Sequence, residues 1–142
     1  MQKWTLDGLY HALAVHPRMM AEDALIELPE GVSGALAISL SAHGGLRVTI
    51  AIGEQHILAS VLLAPVAIVR DQDAFNRMVL SAHRMVPLSA FGITPVDGVE
   101  HYELFGSLSA SSDIDHIVEE VFILAENAIE AAGLVDEWKV AA

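Results

Sequence analysis

Apolar residues recur along this chain with two different periods, and the change of period marks out its elements. Near the start, Leu6, Leu9, Tyr10 and Leu13 fall on one face of a helix. Thr5 is placed to cap it, Trp4 and Leu9 to staple it, and Pro17 to end it. "ALIEL" (24–28) reads as a short strand. From residue 35 the period becomes two. "ALAISLS" (35–41) and "LRVTIAIG" (46–53) flank "AHGG", where Gly44 and Gly45 can turn with positive φ. In these strands Leu36, Ile38, Leu40, Val48 and Ile50 alternate with small or polar residues, which predicts one buried face and one small or polar face. "HILASVLLA" (56–64) is apolar on both sides, as expected of a central strand or of one covered by a second subunit.

Helical spacing returns at residues 70–87, with Asp71 as the cap, Pro87 as the stop and Ala74, Phe75, Met78, Ala82 and Met85 as the inner stripe. "PLSAFGIT" (87–94) and "VEHYELFGSL" (99–108) are two further strands joined through "PVDG". A last helix is expected over about 112–132, carrying the stripe Ile114, Ile117, Val118, Val121, Leu124, Ala125, Ala128 and Ala132, with Ser112 as its cap and Gly133 as its C-terminal glycine. No repeat, linker or low-complexity tract interrupts the 142 residues. The expected architecture is therefore one α+β domain, residues 1–142, with an antiparallel sheet of about five strands and three helices in the order α-β-β-β-α-β-β-α.

The chain is 54% hydrophobic with a mean hydropathy of +0.48. Every apolar run is nevertheless broken short of the ~18 residues that a membrane helix needs. The N-terminus has no sustained apolar core followed by a small-residue cleavage site, so it does not read as a signal peptide, and the expected compartment is the cytoplasm. A formal charge of −12 and only seven Lys and Arg argue against nucleic acid, because clustered cations are needed to neutralise phosphates. The absence of cysteine removes disulfides, thiolate catalysis and cysteine-ligated metals. No cofactor is expected. Proteins or small molecules remain as partners.

The most chemical-looking segment is "SASSDIDHIVEEVFILAEN" (109–127), where Asp113, Glu119 and Glu120 surround His116. On a helical wheel with Ile114 at zero, His116 lies at about 200°, Glu119 at about 140° and Glu120 at about 240°, one outer arc that could hold a metal. The same residues also read as capping and solvation, with Asp113 and Asp115 favoured near a helix N-terminus. His101 and Glu103 share one face of a strand and could form an acid/base pair, or simply a surface ion pair. His43 sits in a turn and His83 on the outer side of the second helix, each without a ligand at close spacing. These histidines and carboxylates keep open a metal-binding protein or a small hydrolytic enzyme.

The other feature is electrostatic. Arg70, Arg77 and Arg84 recur every seven residues along the second helical segment, with Leu80 beside them, while 113–137 holds eight acids and no Lys or Arg. A basic row and an acidic helix could meet across a homodimer or receive a protein partner. Ile123, on the outer side of the last helix, also suits an interface better than a fully solvated face. Arg70, Arg77, Leu80, Arg84 and Ile123 are thus the candidate interaction surface.

"WTLDGL" (4–9) and "HYELFGSLSASSDIDHIVEEVFILAENAIEA" (101–131) are similar to the YjfI-like family of bacterial proteins, a domain of unknown function. The element order resembles the type III secretion chaperone-like and YbjN-like fold. The YjfI resemblance implies no assigned activity and a bacterial cytoplasm beside phage-shock-type, membrane-associated proteins. The chaperone resemblance implies dimers that hold an extended segment of a partner through apolar patches and strand addition. Together these readings lead to the expectation of a non-enzymatic protein-binding module.

Overall fold

The computed structural model describes residues 2–31, 33–86 and 88–140. Helix α1 (Leu6–Ala14) starts where the sequence puts it, with Thr5 Oγ1 accepting from the Gly8 N–H at 3.1 Å. Pro17, expected only as a stop, instead opens a second short helix, α2 (Pro17–Ala21), capped by His16. A proline's fixed φ and missing N–H fit the first turn of a helix as well as they terminate the one before it.

Strands β1 (Ala24–Glu27), β2 (Ala35–Leu40), β3 (Leu46–Ile52) and β4 (His56–Pro65) form an antiparallel meander. Helix α3 (Gln72–Ala82) follows, then β5 (Ala90–Val96), β6 (Val99–Ser109) and α4 (Ile114–Glu137). The sheet order is β1-β2-β3-β4-β6-β5. Among the described residues the sheet has six strands, because the short 24–27 segment pairs with β2, and there are four α-helices, because α2 is separate. Strand β4 lies inside the sheet, as its apolar character suggested. The β5–β6 hairpin closes on Asp97 and Gly98, both left-handed at φ 51 and 79, as a tight two-residue turn requires.

Three helix expectations change. The stop assigned to Pro87 lies outside the described residues; among those described, α3 passes into a 3₁₀ turn at His83–Met85. Three residues per turn rotate the stripe off its line. Met85 is therefore carried off the stripe and is 83% exposed, while within α3 itself Phe75 and Val79 are the buried positions. Helix α4 is capped by Asp113 rather than Ser112, and it runs through Gly133 to Glu137. A helical glycine costs ~1 kcal/mol against alanine, but the turns beyond it seat Val135 in apolar contacts, which offsets that loss.

The buried side chains of the helices meet one side of the sheet or its end. Ile38, Val48, Ile50, Ile57, Val61 and Leu104 point from the strands toward Leu9 and Leu13 of α1 and toward Ile117, Val121 and Leu124 of α4. A second apolar cluster closes the far end, where Phe75 packs on Tyr102 (4.9 Å between centroids) and on Trp138 (5.6 Å). The end of the chain is fastened there by Arg70 N–H to Trp138 O (2.9 Å) and Val140 N–H to Ile68 O (2.8 Å).

One close approach organises the junction of sheet and α4. Gly106 of β6 lies against Glu120, whose carboxylate occupies the space a β-carbon at 106 would fill, with Leu88 O 3.1 Å from the same point. We expect Gly106→Ala to cost about 1–3 kcal/mol through overpacking. In a denaturant double-mutant cycle with Glu120→Ala, the two costs should fall short of additivity by about 1 kcal/mol, since the second change vacates the contested space.

Candidate functional site

The residues around His116 do not assemble as the helical wheel suggested. Asp113 accepts from the His116 N–H (2.9 Å) and, through Oδ2, from His116 Nδ1 (2.8 Å), so this pair is a helix cap. These bonds hold the Asp113 carboxyl below the usual range, the bond from the His116 N–H contributing most. Glu120 is not on a solvated arc: it is 6% exposed. The segment leading into β5 runs alongside this flank of α4, where Asn127 Nδ2 donates to the buried Ser89 Oγ at 3.0 Å. Burial, and then the neighbouring charge of Glu119, push the Glu120 carboxyl up. Among the described residues, no three His, Asp or Glu side chains come together as metal ligands.

His101 and Glu103 do share a sheet face, but they serve different partners. His101 Nδ1 donates to Val99 O at 2.9 Å, and the Glu103 carboxyl, half-buried beside Gly92 and Phe105, is pushed up by desolvation. Two histidines have structural duties that spacing did not reveal. His16 donates from Nε2 to Asp115 (2.8 Å) while its Nδ1 accepts from the Arg18 N–H, which joins α2 to the start of α4. His83 Nε2 accepts from the Phe91 N–H at 2.9 Å.

The surface with binding character lies around α3 and β5. An apolar recess of about 290 Å³ opens between them, with Val79, Leu80, Phe91, Ile93 and Tyr102 in its walls. At its floor the Tyr102 hydroxyl donates to Asn76 Oδ1 (2.5 Å). Burial, then Glu100 and Asp73, raise that hydroxyl's pKa. A second recess, about 160 Å³, lies between α3 and residues Asn127–Leu134 of α4. Val79 and Phe91 line both. In their walls Leu80 is 69% exposed, Met85 83% and Ile93 46%.

The candidate surface residues divide. Arg70 precedes the N-cap of α3, stacks over the Trp138 ring at 5.2 Å and donates to Glu137 O, so it fastens the chain's end. Arg77 is exposed on α3 beside Leu80 and Ser81. Arg84 falls in the 3₁₀ turn, so the three arginines are not one helical row. Neither Arg77 nor Arg84 makes an ion pair among the described residues, including the Asp73–Arg77 pair that an i, i+4 spacing allows. Ile123 is half-buried on α4 and lines neither recess.

This one-sided sheet with its helical order defines a class. It is the type III secretion chaperone-like fold: the structure superposes on YbjN from E. coli with a TM-score of 0.65 at 12% identity, covering 98% of this chain and 97% of that one. ExsC, in its complex with ExsE, gives 0.64 at 12% identity over 96% and 97%. Within that class the chain belongs to the family of uncharacterized proteins conserved in bacteria, DUF2170, whose model matches residues 3–139. The protein YjfI of Escherichia coli K12, itself uncharacterized, is 32% identical over 104 residues, 73% of this chain and 78% of YjfI. YjfI of strain O157:H7 matches to the same extent. No described helix is long and apolar enough to cross a membrane.

Two outcomes follow from these contacts. A carboxyl whose folded pKa is raised contributes stability that is fully present below its unfolded pKa and is lost as pH rises through the folded value. Glu120→Gln, which stays neutral, should therefore raise the melting temperature at pH 7 by about 3–6 °C, worth ~1 kcal/mol in a chain of this size, with the gain fading toward pH 4. His83→Ala should speed amide exchange at Phe91 by about tenfold, because the edge N–H loses its acceptor.

Proposed function

We propose that this chain is a non-enzymatic, chaperone- or adaptor-like protein-binding module of the bacterial cytoplasm, working as a homodimer and holding a protein partner on the surface around α3 and β5. The observation that carries this reading is the exposure of Leu80 and Ile93 in the wall of one apolar recess and of Met85 in the recess beside it, with Arg77 next to Leu80 and Arg84 in the 3₁₀ turn that follows α3; neither arginine makes an ion pair among the described residues. A monomeric surface rarely gathers large apolar side chains so closely without a ligand for them. The fold supports the reading, since ExsC has it and forms a complex with ExsE. Apolar side chains carrying nearby acidic groups are the chemistry this surface would accept, the recess taking the former and the two arginines the latter.

Of the candidate residues, Leu80, Arg77 and Arg84 are the ones this surface uses. Arg70 contributes only by bracing the end of α4 beneath it. Capture from native bacterial extract on the tagged chain tests the assignment. Leu80→Asp and the pair Arg77→Glu, Arg84→Glu should each reduce recovery of the specific partner by about tenfold, the effect of one reversed or desolvated rim contact. None of the three side chains is buried, so melting temperatures should stay within the range of surface substitutions. Undiminished capture by both variants, from a chain that is monomeric in light scattering, would remove the reading.

A further inference from the structure

The sheet face turned away from the helices carries a pattern of its own. Residues of the helix-facing parity enter the main core; their alternates Leu25, Thr49, Leu58, Leu62 and Phe105 do not. Strand register sets these alternates in rows. Ala37, Thr49, Ser60, Phe105 and Ala90 form one row across five strands. In the next, Ser39 pairs with Arg47, Leu62 with Glu103, and Glu103 with Gly92. Continuing the Thr49–Ser60 pairing by one alternation brings Arg47 level with Leu62.

Arg47 and Glu103 thus flank Leu62, one on each neighbouring strand. Two strand spacings, roughly 9.5 Å, separate their backbones. Neither has an ion pair among the described residues, and Leu62 between them is 49% exposed. Glu103 also leans the other way, with its Oε1 3.3 Å from where a β-carbon of Gly92 would stand. The surroundings are small: alanine, serine and threonine fill the first row except at Phe105, and Ser39 and Gly92 end the second, so a flat surface can approach closely.

We propose that this face packs against the same face of a second copy, sheet to sheet, about a two-fold axis running along β4, with Arg47 of each copy against Glu103 of the other. The proposal rests on the homodimer reading above and names its interface. Self-complementarity selects the axis. In an isologous contact, residue i meets j and j meets i. An axis along β4 exchanges its two flanks, which carries Arg47 onto the partner's Glu103, Ser39 onto its Gly92 and Leu62 onto its Leu62. An axis across the strands would set Arg47 on Arg47 and Glu103 on Glu103, a like-charge arrangement that opposes association. Aligned sheets pack about 10 Å apart at about 30°, a spacing that side chains the size of Leu62 and Phe105 fill from both sides. Desolvation raises the Glu103 carboxyl, and among the described residues no cation of its own chain pairs with it.

Sedimentation equilibrium on the full chain tests this, since a dimer doubles the 15.2 kDa mass. Arg47→Glu and Glu103→Arg should each weaken dimerisation by about tenfold or more, and the double exchange should return it to within about threefold of the original. The chain has no cysteine, so Leu62→Cys with a short bismaleimide should give a covalent dimer, whereas Glu126→Cys, at an exposed position of α4, should not. A monomeric wild-type chain would overturn both this interface and the homodimer reading. A dimer that ignores both single reversals, or is not restored by the exchange, would overturn the interface alone.

Discussion

The burial of α4 against one side of the sheet is the constraint from which the other features follow. Its fully buried positions, Ile117, Val121, Leu124 and Ala125, lie over the middle strands with Ile50, Ile57, Ala59 and Leu104 beneath them. Each large side chain so buried contributes about 1.5–3 kcal/mol, and α4 supplies more buried side chains than any other described helix. Because α1 joins α4 on that side, the helices leave the opposite face to the strands alone. The same packing forces Glu120 inside. Its flank of α4 meets β6 at Gly106, and only the absence of a side chain there lets the carboxylate fit.

How much of this was legible depended on whether one element or several decided a residue's fate. Strand alternation needs only a backbone and a core, and the inward set Leu36, Ile38, Leu40, Val48 and Ile50 followed from it. So did the position of β4, whose two-sided apolar character marks an inner strand. The helical wheel failed where a third segment intervened. It placed Glu120 at about 240°, outside the stripe, and could not foresee that Ser89 and its neighbours would run beside that flank. A signal existed in the partner strand: a glycine at 106 with inward parity between Leu104 and Leu108 marks a close approach. The arginine row failed for a related reason, since a uniform 100° per residue does not hold through a cap and a 3₁₀ turn.

The histidines show the same division. Counting neighbours in sequence made His116 a centre of carboxylates, yet its ring bonds to Asp113 within a capped first turn. His83 looked idle because its partner is the Phe91 backbone N–H, and His16 gave no signal because its partner, Asp115, is distant in sequence. Long-range polar contacts of this kind leave no period to read.

His83 also bears on where a partner can attach. The β5–β6 hairpin closes in two residues, so bonded pairs alternate and the N–H groups of Phe91 and Ile93, with the nitrogen of Pro95, face outward from β5. His83 occupies the first, and proline has no proton to offer at the third. Of these three positions only Ile93 keeps a donor to offer, which is too little for a strand to add along this edge. At the other end of the sheet β1 is four residues long. Strand addition, implied by the chaperone resemblance, therefore finds short or blunted edges here. Recognition through side chains, at the recess beside Leu80 and across the open face around Leu62, is the mode this fold leaves available.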